Sequence, residues 1–161
     1  MRIWGNISAI IVVGMLSLAT FSPATAEQRN VPKGWELITD MAGFAKGCSV
    51  RHAGKEINTY ALLNKLGHVI LIGAWPDWKK PSGNTPVALA IDRGAPHPMT
   101  ASVLVNLVMV EIAEGELSER LSRARTLHWQ MPWGDFKASV SGIGGALDAL
   151  RECEQKRGTP A

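Results

Sequence analysis

The feature that most constrains this chain is its pair of cysteines. Cys48 and Cys153 are the only two in the sequence, and they stand about 100 residues apart. Residues 1–26 read as a leader that would deliver both to an oxidising compartment, where an even cysteine count favours a disulfide. Met1 and Arg2 give the leader a short positive start. An apolar stretch from Ile7 to Phe21 follows, rich in Ile10, Ile11, Val12, Val13, Met15, Leu16 and Leu18, and then come Ser22-Pro23 and Ala24-Thr25-Ala26. A positive start, an apolar run of about 7–15 residues and an Ala-x-Ala site define a secretory signal peptide. A spanning helix needs about 20 apolar residues. The run is shorter than that, so cleavage after Ala26 is expected, with no integral membrane segment left afterwards. No cysteine lies near the cut, which argues against a lipid anchor. The mature chain is expected to be periplasmic or secreted.

A Cys48–Cys153 bond would join the start of the domain to its last helix. In the chain-entropy model, closing a loop of that order is worth about 4–5 kcal/mol. Two other roles compete for the thiols. Cys48 has His52 four residues on, but no Asn or Asp can be assigned to orient that histidine for nucleophilic chemistry. The pair with His52 or His97 lacks the close spacing that sets a metal chelate. Neither a metal nor any other cofactor is expected.

The remaining roughly 135 residues suit one domain with a substantial core. Residues 27–33 are expected to be a flexible leader, 34–156 a single globular domain and 157–161 a frayed tail. Short β-favouring runs recur with turn signals between them: Trp35–Thr39, Cys48–His52, His68–Ala74 and Pro86–Asp92, the last with Val87, Leu89 and Ile91 on one face, while Ile57–Leu63 is apolar and mixed. The prolines and Gly83 between Trp75 and Gly83 predict irregular structure. Thr100–Ile112 reads as a strand pair or one long bent strand, and helical period also fits part of it. Glu114–Ala124 is a predicted helix, with Leu117 and Leu121 sharing a face. Thr126–Gln130 and Phe136–Val140 read as strands joined through Pro132-Trp133-Gly134-Asp135. A second helix is expected from about Gly142 to Lys156, with Ile143, Leu147, Leu150 and Cys153 as its apolar stripe. The expected class is α+β: an antiparallel β-sheet, curled or sandwich-like, with a short helix and a C-terminal helix packed on it, stapled by one disulfide.

The charge balance excludes some partners. The whole chain carries 17 Lys and Arg against 14 acids, a formal net charge of +3, and the leader removes Arg2. So weak an excess gives no reason to expect nucleic acid. The most distinctive surface is the Pro-rich loop holding Trp75, Asp77, Trp78, Lys79 and Lys80. Aromatic rings with basic neighbours can stack on a sugar, a peptide or a protein. Trp129 and Trp133 form a second aromatic group, and one residue of each pair could close the same end of the domain. Trp133 joins the candidate surface, and the partner expected there is a protein or another envelope component. The competing expectation is that one tryptophan plugs the open end of the sheet.

Other motifs are weaker. Gly142-Ile-Gly-Gly-Ala precedes a helix, but Leu147 replaces the third glycine of a dinucleotide loop, so tight packing of the helix start explains the glycines better. His52, His68, His97 and His128 are scattered. Asp77, Asp92, Glu111 and Asp135 lie near strand ends, yet no spacing selects a catalytic pair. Asp92 before Arg93-Gly94 is most simply a turn former. No serine sits in G-x-S-x-G.

The leader, the strand and turn Pro86–Gly94 (PVALAIDRG) and the segment Ser139–Leu150 (SVSGIGGALDAL) together resemble small exported proteobacterial proteins of the invasion-associated locus B type. That family usually carries additional central cysteines, and this chain has none between Cys48 and Cys153. The resemblance implies a periplasmic or secreted β-rich domain and brings no catalytic residues. The expected function is therefore a non-catalytic binding or interaction domain of the cell envelope. The alternatives are an envelope hydrolase using Asp77, Asp92 or Asp135, and a small inhibitor of a host enzyme such as lysozyme.

Overall fold

The structure is a computed structural model, and it describes residues 31–41, 45–76 and 80–158. Nine strands and two helices follow in the order β1 (Trp35–Met41), β2 (Ala45–His52), β3 (Asn58–Leu63), β4 (Val69–Ala74), β5 (Lys80–Ile91), β6 (His97–Val105), β7 (Leu107–Ile112), α1 (Glu116–Ser122), β8 (Thr126–Met131), β9 (Gly134–Ser139) and α2 (Ile143–Gly158). Among the described residues no helix is long and apolar enough to cross a membrane.

All nine strands join one sheet in the order β1-β2-β3-β4-β7-β6-β5-β8-β9, and every neighbouring pair is antiparallel. β1 to β4 form a meander. The chain then skips outward to β5 and returns through two hairpins, so that β7 pairs with β4. From β7 it crosses back by way of α1 to lay β8 beside β5. Each crossing is a Greek-key connection around the shared β5–β6–β7 meander.

Strand periodicity decides which side is core. Val50, Ala61, Leu71, Val110, Leu89 and Trp129 alternate with more exposed neighbours, and all lie in one hydrophobic cluster. β5 is longer than the sequence suggests: it begins at Lys80 and runs through Pro81, Gly83 and Pro86, with a register shift between Lys80 and Gly83. The prolines are tolerated because β8 pairs only with Ala88–Ile91. The first part of β5 is therefore bonded on one side alone, where a missing N–H breaks no ladder. Thr100–Ile112 resolves into two strands, with a tight loop at Val105 and Asn106.

The sheet curls into a half-barrel, and two contacts across its hollow require that. Trp75, just past β4, meets Trp129 of β8 edge-on with ring centroids 6.3 Å apart. Four strand spacings separate β4 from β8 along the sheet, which would be roughly 19 Å if it were flat. At the outer edges, Trp35 Nε1 of β1 donates to the Ser141 carbonyl just beyond β9, at 2.9 Å.

The two helices contribute Leu121, Ile143, Ala146, Leu147, Leu150 and Cys153 to the same cluster. Cys48 and Cys153 form the disulfide, with Cα atoms 6.1 Å apart, and the Cys48 N–H donates to Glu154 Oε1. The glycines at the start of α2 answer to packing: a Cβ on Gly144 would lie 2.2 Å from the Ser122 carbonyl oxygen of α1. Val31, at the end of the expected leader, packs against the core. The expected tail also contributes structure, since α2 extends to Gly158 and Arg157 pairs with Asp40 at 2.9 Å.

Candidate functional site

The outer face of the sheet carries its own apolar patch. An antiparallel sheet with one solvated face normally shows polar residues there. The register places Glu36, Arg51, Tyr60, Ile72, Met109, Ser102 and Asn84 in one cross-strand row on that face. A second row runs Asn58, Ala74 and Leu107. The flanking strands thus supply polar groups, while the central three, β3, β4 and β7, supply an apolar strip.

A groove of about 280 Å³ opens in this strip. Tyr60, Ile72, Ala74 and Leu107 line it, Asn58 and Asn106 stand at its polar margin, and Pro76 forms part of its rim. Ile72 is only 2 % exposed, although it points away from the main core. Tyr60 is positioned from the side: the Arg51 guanidinium lies 6.0 Å from its ring centre, and Arg51 Nη1 is 3.4 Å from Glu36 Oε2. Beyond the groove, the β6–β7 loop exposes Leu104 and Val105, at 45 % and 49 %. Val105 has φ +55°, a conformation that strains a β-branched residue. Chemically, the groove offers an apolar floor and two primary amides, each able both to donate and to accept.

The aromatic surface expected from sequence is redistributed. Trp75 is buried at 5 % exposure, edge-on to Trp129 and to Phe136, whose ring centroid is 5.3 Å away. Its expected place on an exposed contact surface is corrected. The physical reason is Gly73, where a Cβ would fall 2.6 Å from the Trp75 ring and block it from folding inward. One residue of each tryptophan pair, Trp75 and Trp129, therefore does meet inside the open end of the sheet. Trp133, also expected on that surface, sits half-buried against the core in the β8–β9 turn. Lys80 opens β5 opposite Val105. Asp77, Trp78 and Lys79 lie outside the described residues. Pro76, one residue past Trp75, is the part of that segment that reaches the groove among the described residues.

The titratable candidates have separate local duties. Asp92 Oδ1 accepts the backbone N–H groups of Arg125 and Thr126 at 3.0 and 2.9 Å. Asp135 lies 3.9 Å from His128 on β8. His68 Nδ1 is 2.6 Å from Glu111 Oε1, which also accepts from the Asn64 amide at 2.9 Å. His97 bonds Arg120. His52 packs against Trp35, and burial lowers its pKa from the ordinary value. Among the described residues, no three His, Cys, Asp or Glu side chains gather as a metal site would require.

The groove was missed in sequence because its walls come from three strands set side by side only by register. A signal existed. VILIGA and LVMVEI are apolar at both parities, which in an antiparallel sheet means that outward positions are apolar too. Comparison with protein-family models, with curated proteins and with solved structures gives no match.

Proposed function

We propose that this protein is an exported, non-catalytic binding domain of the cell envelope, and that it captures a protein partner by an apolar side chain seated in the groove on its outer face. The observation that carries the reading is an apolar groove on the solvent side of the sheet, extended by the exposed Leu104–Val105 tip. Asn58 and Asn106 suit the alternating N–H and C=O groups of an extended peptide backbone, while Ile72 and Leu107 suit the anchor residue. The leader with its Ala24-Thr25-Ala26 site and the Cys48–Cys153 disulfide support export to the periplasm or beyond. The resemblance to the invasion-associated locus B type fits the same role. The helices complete this reading: stapled over the concave side, they hold the sheet stiff while its outer face recognises the partner.

The test is selection from a displayed peptide library on the full mature domain. Enriched peptides should share one large apolar anchor. Their binding should fall about 30-fold or more in Leu107→Asp, the loss expected at an anchor pocket. Circular dichroism should show the variant folded. Peptides that bind Leu107→Asp and the parent equally well would overturn the reading.

A further inference from the structure

A second cleft lies at the opposite end of the half-barrel, between the β5–β6 turn and α1. It is an open depression of about 340 Å³, and Arg93, Arg120, Arg123, Glu116 and Glu119 line it together with Asp92. Along α1 and its C-terminal cap residue Arg123, the spacings Glu116–Arg120 and Glu119–Arg123 are i,i+4 with the acid first, the favoured arrangement for helical ion pairs. Neither pair forms: Arg93, Arg120 and Arg123 come within 4.0 Å of no carboxylate among the described residues. Both signs of charge thus face one cleft without neutralising each other.

Arg120 is held where it stands, while Arg93 and Arg123 are exposed. Arg120 Nη1 donates to His97 Nε2 at 2.9 Å, which requires that nitrogen to be unprotonated. Its guanidinium lies on the turn at Gly94, where a Cβ would fall 1.6 Å from Nη2 and expel it. The turn is anchored in its own right: Asp92 Oδ1 takes the Arg125 and Thr126 N–H groups, and the Asp92 N–H donates to the Thr126 carbonyl at 2.9 Å. The Asp-Arg-Gly turn therefore fixes one wall of the cleft and places Arg93 opposite α1.

We propose that this cleft binds a small zwitterion, a free amino acid or a short peptide with free ends. The ligand carboxylate would be gripped by the Arg120 and Arg123 guanidiniums, with Arg93 across the cleft, and its ammonium would be met by Glu116 and Glu119. Guanidinium matches a carboxylate with two parallel N–H donors. A cleft of this size sits at the lower end of small-ligand sites, as a dipeptide requires.

The probe is L-alanyl-L-alanine, titrated into the mature domain while the arginine Nε–Hε signals are followed by NMR. N-acetyl-alanyl-alanine and alanyl-alanine amide are run beside it. Saturable shifts of the Arg120 and Arg123 signals are expected with the free dipeptide, and each blocked form should bind at least about tenfold more weakly. Arg123→Gln, which leaves the His97 contact intact, should weaken binding by about tenfold or more, as should Glu119→Gln, while Lys137→Gln at an exposed position of β9 should not change it. The proposal is overturned by the absence of saturable shifts up to about 50 mM, well past the weakest specific binding. It is equally overturned if the acetylated form binds as well as the free dipeptide, or if binding is unchanged in Arg123→Gln.

Discussion

Asp92 and Val105 sit in turns at opposite ends of the half-barrel, and both adopt a left-handed backbone, with φ +53° and +55°. Asp92 is suited to that conformation, and its carboxylate recovers two backbone hydrogen bonds from the α1–β8 connection. Val105 is β-branched, half exposed and gains nothing comparable from its own side chain. What its turn does gain is distant: the carbonyl of the next residue, Asn106, accepts the Trp75 N–H at 3.0 Å. One turn is strained for local architecture, the other in a way that keeps an apolar side chain on display beside a groove. An unusual φ therefore carries different meanings, according to where the compensation lies.

The largest effect is expected at the Val105 end. Trp75→Ala removes a buried ring that spans the hollow to Trp129 and Phe136, and should lower unfolding free energy by about 3–5 kcal/mol in urea titration. A much smaller loss would mean that the ring does not hold the curl. Next, Asp92→Ala leaves two backbone N–H groups without their acceptor and should cost about 1–3 kcal/mol in the same assay. Equal stability would make the two turns alike. Val105→Gly should act in the opposite direction, raising stability by up to about 1 kcal/mol as strain is relieved, while weakening capture of groove-binding peptides. A stabilised variant that binds peptides as before would separate the strain from recognition. The smallest effect is set by pH. Burial holds the His52 pKa below its ordinary 6.5, so the unfolded chain takes up the proton first. Stability should therefore decline as pH falls below about 6.5 and level off once the folded histidine is protonated as well. Thermal melts of His52→Gln should lack that component.

Much of the fold was legible because strand and helix periods record burial directly. Val87, Leu89 and Ile91 point inward as their spacing predicts, and Ile143, Leu147, Leu150 and Cys153 form one buried stripe. The strand order was not legible, since pairing of β4 with β7 and of β5 with β8 depends on which crossings the whole sheet can accommodate. Nor was the extension of β5 through two prolines, which a one-sided ladder permits. The groove was hidden for the same reason: Tyr60, Ile72 and Leu107 become neighbours only after three strands align. Trp75 misled because its partners, Trp129 and Phe136, arrive from the far side of the molecule. A Trp-Pro sequence beside lysines describes a surface loop well until a glycine two residues earlier makes room for the ring.

The tie between Trp35 and the Ser141 carbonyl, and the bond between Cys48 and Cys153, both link early residues to late ones. A polypeptide synthesised from its N-terminus has therefore made all the described strands before α2, which carries Cys153, exists. Until then Val50, Leu71, Leu89 and Val110 lack the apolar side chains that α2 adds to their cluster, which leaves apolar surface open to holdase chaperones and to aggregation. A premature stop near residue 142 would accordingly do more harm than the loss of one helix implies, because it would leave the remainder without the disulfide and with an incomplete core.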